Sequence, residues 1–444
     1  MKNDFLNDTA RRAANYLTEL SNRSVAPSAQ AVEGLTRLGG PLPEAPMTPE
    51  QVIELLDTFG SPATMATAGP RFFGFVIGGV LPAALAANWM AGAWDQNAFS
   101  SVVSPTAVAL EKAAAQWLLD ALRLPPESSV SFVTGATMAN FTALAAARQW
   151  VLDQAGWDVE SQGLFGAPPI TVIAGAEAHP TVLKSLGMLG LGRDRVVFVP
   201  ADDQGRFRVD QLPVIKGPTI VCLQAGNVNT GSFDPIAEIC DKVRSSGAWV
   251  HVDGAFGLWA LAAPKRAHLA EGIDQADSWA TDGHKWLNVP YDCGLAFVRR
   301  SESLARATAI SAAYLPPDDR LTPETSRRAR GVEVWAALMS LGRSGLADLI
   351  ERNCAYATRF ADGFRKAGYE ILNDVVLNQV LVSFGDEEKT RQIISAIQQD
   401  GTCWCGGTVW HDRPAMRISV SSWATTEADV DKSLTAMLKV AGSI

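Results

Sequence analysis

Ala-Trp-Val-His-Val-Asp-Gly-Ala, residues 248–255, reads as a buried strand that ends on a carboxylate. A short apolar run bounded by glycine is the pattern of a strand covered on both faces. It sets Asp253 at the carboxyl end of the strand, where open α/β sheets bind their ligands. Thr-Asp-Gly-His-Lys-Trp follows at 281–286, directly behind the half-apolar run Ala-Asp-Ser-Trp-Ala-Thr at 276–281. Lys285, held in such a place, can reach a bound aldehyde as an amine nucleophile. Each residue alone has a plainer reading, since a strand-end aspartate commonly caps a helix and a lone lysine commonly sits in solvent.

Around these stretches strands and helices alternate. Strands are expected at 170–174, 195–199, 219–223 and 249–253, with helices after Pro180 and from Pro235 to Ser245. That rhythm predicts an α/β fold, a mainly parallel sheet with helices on both faces. Earlier, Ser-Val-Ser-Phe-Val-Thr-Gly-Ala-Thr-Met-Ala-Asn140 reads as a strand, a glycine turn and a helix start. The amides of Gly135, Ala136 and Thr137, with the threonine hydroxyl, could receive a phosphate there, a weak signal taken alone.

Beyond the lysine comes a strand at 294–299, then a polar, proline-bearing stretch at 305–326 that suits either a mobile lid or a linker. From about Leu341 the order helix, strand, helix, strand, helix predicts a small α+β domain. Leu6, Ala10, Ala13, Leu17 and Leu20 recur at helical spacing, and Thr48-Pro-Glu-Gln51 is a capped helix start. The expected organisation is a helical segment at 1–66, a large domain at 67–341 and a small one at 342–444.

Composition narrows the function classes. The 444 residues are 47% hydrophobic and 19% charged, enough to bury a sizeable core. A net charge of -9 without a basic run argues against a nucleic-acid partner and for a small molecule. The start lacks the apolar core of a signal peptide, and the six cysteines show no disulfide spacing, so a reducing cytoplasm is the expected compartment. Phe72 to Trp94 carries no charge, yet its glycines, Pro82 and Asn88 favour a buried loop followed by a core helix over a membrane span. Cys403-Trp-Cys405 with His411 lacks a second ligand pair, so no metal is expected.

A lysine for an aldehyde and an acid for a pyridine nitrogen are the two requirements of pyridoxal phosphate, whose protonated ring is an electron sink. His-Val-Asp-Gly-Ala followed by Asp-Gly-His-Lys-Trp resembles the group II pyridoxal-phosphate-dependent amino-acid decarboxylases, of fold type I. The histidine before the lysine is the more discriminating mark. The resemblance spans roughly residues 70–440 and implies decarboxylation of an L-amino acid to its amine. It also implies an intertwined homodimer, with the N-terminal segment packed across the partner.

Carried over residue by residue, the resemblance gives His179, in Glu-Ala-His-Pro, a stacking role on the cofactor ring, although a lone histidine there is more often structural. It gives Gly135, Ala136 and Thr137 the cofactor phosphate, with His284, and Asp253 the ring nitrogen. Phe72 and Phe73, in Pro-Arg-Phe-Phe-Gly-Phe, would line the substrate's side-chain pocket, although plain core is the alternative. Tyr314, 29 residues after Lys285, would be the catalytic loop tyrosine; relatives with phenylalanine at that step tend to be oxidative aldehyde synthases. Arg417, on Ala-Met-Arg-Ile-Ser, is a candidate for the active site or an interface.

Two departures stand out. Val228 replaces a threonine that holds cofactor and substrate carboxylate, leaving Asn227 and Asn229 as substitute donors. Asp282 replaces an asparagine near the phosphate, and its charge requires it to point away or be paired. Trp89, Trp94 and Trp286 permit an aromatic pocket or plain core. An aminotransferase shares Lys285 and Asp253 but usually lacks Asp-Gly-His-Lys. A desulfurase needs a loop cysteine that 305–326 does not have, and a cofactor-binding regulator needs a DNA-binding domain that the N-terminal segment does not supply.

Overall fold

The computed structural model describes residues 3–308 and 321–444. Seven strands form the large sheet: β1 (Ser129–Val133), β2 (Thr171–Gly175), β3 (Val197–Val199), β4 (Thr219–Gln224), β5 (Trp249–Asp253), β6 (Ser278–Asp282) and β7 (Gly294–Val298). Their order is β1-β7-β6-β5-β4-β2-β3. β2 pairs in parallel with β3 and β4, β4 with β5, and β5 with β6. β7 alone runs against its neighbours β1 and β6. The mainly parallel sheet expected from the alternation is therefore present, and β4 to β7 are buried along their whole length. That burial is why β4 and β7 read as nearly continuous apolar runs.

The second sheet is antiparallel, ordered β10-β11-β9-β8, from β8 (Glu370–Ile371), β9 (Gln379–Ser383), β10 (Gly406–Trp410) and β11 (Arg413–Ser419). Its own apolar cluster joins Val380, Val382, Met416 and Ile418 to Phe360 and Phe364 of the helix Gly331–Lys366. That helix is broken at Gly342, whose φ of 59° and ψ of -176° interrupt the helical path where the sequence puts the boundary between large and small domains.

The helix Pro82–Trp94 follows a loop, as the uncharged stretch predicts, with Pro82 in its first turn and Asp95 closing it in a left-handed conformation. It is not a core helix, however: Trp89, Met90 and Trp94 are 44%, 54% and 40% exposed, and only Ala84 and Ala91 are buried. Among the described residues no helix is long and apolar enough to cross a membrane.

At the amino terminus the helix Asn3–Glu19 and the capped helix Pro49–Leu55 form as the spacing predicts, with Thr48 and Gln51 in a reciprocal capping box. Arg12 bridges Asp8 and Asp57, and the Val25 amide donates to the Gly401 carbonyl. Much apolar surface in this segment stays uncovered, including Leu6, Leu42 and Leu56.

Candidate active site

The carboxyl ends of β4, β5 and β6 and the amino end of the helix Ala136–Gln154 converge on a cavity of about 310 Å3. Its lining includes Gly135, Ala136, Thr137, His179, Asp253 and Lys285, so the strand end at 253 and the Asp-Gly-His-Lys stretch meet there. The meeting follows from topology, because β5 and β6 are parallel neighbours and both deliver their last residues to one edge. Backbones also crowd closely here. A Cβ on Gly294 of β7 would lie 2.4 Å from the Cα of Gly135, so only glycine lets that strand back the turn.

Asp253 ends β5 with Oδ1 accepting the Ala255 amide at 3.1 Å, while Oδ2 is buried without a hydrogen-bond partner. Burial pushes its proton affinity up, against the pull of Lys285 and the Ala255 amide. His179 caps the helix Pro180–Met188; its Nδ1 lies 2.7 Å from the Thr181 hydroxyl and accepts the Thr181 amide at 3.3 Å. Those contacts put the ring proton on Nε2, and burial draws its pKa down, so the ring stays neutral.

Lys285 Nζ is 2.9 Å from Asp282 Oδ2, and Asp282 Oδ1 accepts the Ala136 amide at 2.6 Å. Asp282 is thus paired, one of the two arrangements its charge required. The Cys293 amide donates to His284 Nδ1 at 3.1 Å, leaving Nε2 to face Asp282 Oδ1 at 3.5 Å. His284 lies against the glycine turn, for a Cβ on Gly135 would come 3.3 Å from its Cε1. Gly135, Ala136 and Thr137 all line the cavity, with Met138 beside them; of these, the Ala136 amide is taken by Asp282.

Other expectations fall outside the cavity. Phe73 packs edge-on against Phe360 in the small domain's core, and Phe72 stacks on Trp404 at 4.9 Å; neither lines the cavity. Both are packing residues of this chain, the alternative that an aromatic cluster beside glycine leaves open. Trp286 is fully buried, with its indole N–H donating to Asn353, and Trp89 and Trp94 lie at the surface. The Asn227 side chain is consumed by its own turn: Oδ1 accepts the amides of Asn229 and Thr230, and Nδ2 donates to Gln224. Asn229 Oδ1 accepts from Thr408 and Arg417. Val228 lines the cavity, and neither asparagine is among its lining residues. Arg417 donates to the Val228 carbonyl at 3.1 Å and has no carboxylate partner among the described residues. Tyr314 lies outside the described residues.

Sequence reasoning missed Asn140 and the role of His251. Both are fully buried, and His251 bonds Ser278 Oγ and Asn140 Oδ1, each at 2.9 Å. The signal was present: a histidine in an apolar strand and an asparagine in an alanine-rich helix are polar groups that must find partners.

A lysine and an unsatisfied carboxylate across one cavity, beside a helix amino end, at the carboxyl edge of a mostly parallel sheet, define a fold type I site for an aldehyde-bearing, phosphorylated pyridine. Residues 40–385 match the pyridoxal-dependent decarboxylase conserved domain, and the chain belongs to that family. It is 28% identical to the acidic amino acid decarboxylase GADL1 of Bos taurus over 70% of this chain and 62% of that protein, so it spans about three fifths of that relative's length. It is 31% identical to L-2,4-diaminobutyrate decarboxylase of Rhizobium meliloti (strain 1021) over 73% of this chain and 66% of the relative. In fold it is similar to the crystal structure of Oryza sativa TDC with PLP and tryptamine, with a TM-score of 0.91 at 22% identity, covering 99% of this chain and 97% of the other.

The residues fit the cofactor. Asp253 Oδ2 is a buried acceptor that a protonated ring nitrogen would satisfy, and the first-turn amides with the Thr137 hydroxyl would suit a phosphate.

Proposed function

We propose that the chain holds pyridoxal 5'-phosphate and removes the α-carboxylate of an L-amino acid, releasing carbon dioxide and the corresponding amine. The observation that carries this reading is the unpartnered, buried Oδ2 of Asp253 in the same cavity as Lys285. When bound, the cofactor supplies an electron sink for the bond that breaks at the substrate's α-carbon. With the cofactor bound, Lys285 would hold the aldehyde carbon, Asp253 would keep a proton on the ring nitrogen, and His179, neutral and fixed by Thr181, would lie against the ring. The amides of Thr137 and Met138 hold the phosphate, with His284 beside them.

Arg417, half-buried and without a carboxylate of its own among the described residues, pairs a carboxylate of the substrate across the Val228 carbonyl. Asn229 supports Arg417 from behind rather than touching the cofactor. Tyr314 delivers a proton to the α-carbon where the carboxylate has left, with water excluded. The uncovered apolar side chains of the amino-terminal segment and of Trp89 and Trp94 support an intertwined homodimer. The six unpaired, buried cysteines suit a reducing cytoplasm.

The test has two parts. Protein loaded with the cofactor and treated with borohydride should carry the reduced adduct on Lys285 in peptide mapping. A screen of the standard amino acids for carbon dioxide release then identifies the substrate. An adduct on another lysine, or no release from any amino acid, overturns the reading.

A further inference from the structure

Behind Asp253 runs a buried chain of polar groups that the proposed reaction does not use. Trp249, His251 and Asp253 are alternate residues of β5, so their side chains share one face of the sheet. His251 stands in register with Ser278 of β6. The Trp249 indole N–H donates to Ser278 Oγ at 2.8 Å, Ser278 Oγ lies 2.9 Å from His251 Nδ1, and His251 Nε2 lies 2.9 Å from Asn140 Oδ1. Asn140 belongs to the same helix whose first turn faces the cavity.

The directions of these bonds follow from a donor that cannot accept. An indole N–H only donates, so Ser278 accepts from Trp249 and gives its own proton to His251 Nδ1. His251 is fully buried, which depresses its pKa to about 3 and keeps it neutral; with Nδ1 accepting, its proton sits on Nε2 and goes to Asn140 Oδ1. That fixes the Asn140 amide with its Nδ2 donor turned to the other side, toward Asp253. In the opposite arrangement the serine proton would have no acceptor and a carbonyl oxygen would confront a carboxylate. Asn140 Nδ2 and Asp253 Oδ2 are both buried without a hydrogen-bond partner, yet the amide is near enough to draw the Asp253 carboxyl down against the effect of burial.

Resting on the cofactor reading above, we propose that Asn140 is a positioning residue, oriented by the Trp249–Ser278–His251 chain, that keeps Asp253 ionised so that the shared proton stays on the cofactor's ring nitrogen. A buried carboxylate without this donor would compete for the proton and leave the ring a poorer electron sink. A neutral amide can do this without bringing a second charge into the cavity.

The experiment loads the wild type and the variants Asn140→Leu, His251→Leu and His251→Gln with pyridoxal phosphate carrying nitrogen-15 in its ring. The ring-nitrogen resonance, which reports protonation directly, is recorded beside kcat and KM. The wild type should show a protonated nitrogen. Asn140→Leu and His251→Leu should move the resonance toward the unprotonated position and lower kcat by about tenfold, the factor carried by one unit of proton affinity, at nearly constant KM. His251→Gln, whose amide can still donate to Asn140 Oδ1, should recover most of both. A wild-type resonance in both leucine variants overturns the proposal, as does a glutamine variant that falls as far as His251→Leu, since the loss would then be one of packing. Should Asn140→Leu fail to fold, the His251 pair decides. Failure of the wild type to take up the cofactor overturns the site reading itself, and this inference with it.

Discussion

Lys285 Nζ lies 2.9 Å from Asp282 Oδ2, and the same carboxylate accepts the Ala136 amide at 2.6 Å, so one acid ties the nucleophilic lysine to the helix end proposed to hold phosphate. Asp282 is almost wholly buried, with 3% of its side chain exposed. An aldehyde must take Lys285 away from this partner, and a phosphate must settle beside the charge that remains.

Asp282→Asn therefore removes both obstacles while keeping an oxygen to accept the Ala136 amide. Cofactor affinity should rise, by roughly fivefold to tenfold for a partly exposed pair whose worth is on the order of 1 kcal/mol. Titrating the visible band of the loaded protein gives the dissociation constant. Weaker binding in the asparagine variant would mean that Asp282 holds the turn together rather than competing with the cofactor.

Asp253→Ala leaves the lysine and the proposed phosphate cradle in place but removes the acid proposed to face the ring nitrogen. The cofactor should remain bound and borohydride-reducible at Lys285, while turnover falls by several kcal/mol of barrier, on the order of a thousandfold. Turnover near the wild-type rate would show that another group serves the ring nitrogen.

Much of this arrangement was legible in the chain. Asp253 and Lys285 could be read because a strand end and its parallel neighbour deliver residues to one edge, and apolar runs mark such strands wherever they are buried. The capping box at Thr48 was equally plain, being a local exchange between residues three apart. What stayed hidden depended on contacts across the fold. The consumption of Asn227 by its own turn, the packing of Phe73 on Phe360 and the surface position of Trp89 are set by neighbours far away in sequence, which an aromatic or amide residue does not announce. His251 lies inside the His-Val-Asp-Gly-Ala motif, but its partners come from another strand and a distant helix.

His251 also makes a prediction about acid. Its folded pKa, near 3, is below the ordinary value of 6.5, so the unfolded chain binds the extra proton between those limits. Stability from this group is therefore complete above about pH 6.5 and is lost as pH falls toward 3. His251→Gln lacks that proton uptake. Between pH 7 and pH 5 the wild type should lose about 2 kcal/mol more stability than the variant. Denaturant midpoints at the two pH values measure the difference, which also cancels contributions of opposite sign such as that of Asp234, whose carboxyl burial raises to about 6. Equal losses in the two proteins would mean that His251 binds its proton as readily in the folded state as in the unfolded chain.

The last prediction concerns Tyr314 and separates amine formation from oxidative aldehyde formation. If its hydroxyl gives the α-carbon its proton, Tyr314→Phe leaves cofactor binding and carbon dioxide release possible but removes the donor. Molecular oxygen then has time to react at the same carbon, and with water the products become aldehyde, ammonia and hydrogen peroxide instead of amine. Under air the amine yield of the variant should fall by tenfold or more, roughly the lower range of general-acid contributions, while peroxide rises. Under nitrogen the aldehyde should disappear and slow amine formation should remain, because water can still supply the proton. If the residue lies in an ordinary linker, the substitution should change products and stability very little, as surface substitutions usually do. Unchanged amine formation by the phenylalanine variant in both atmospheres would remove Tyr314 from the reaction.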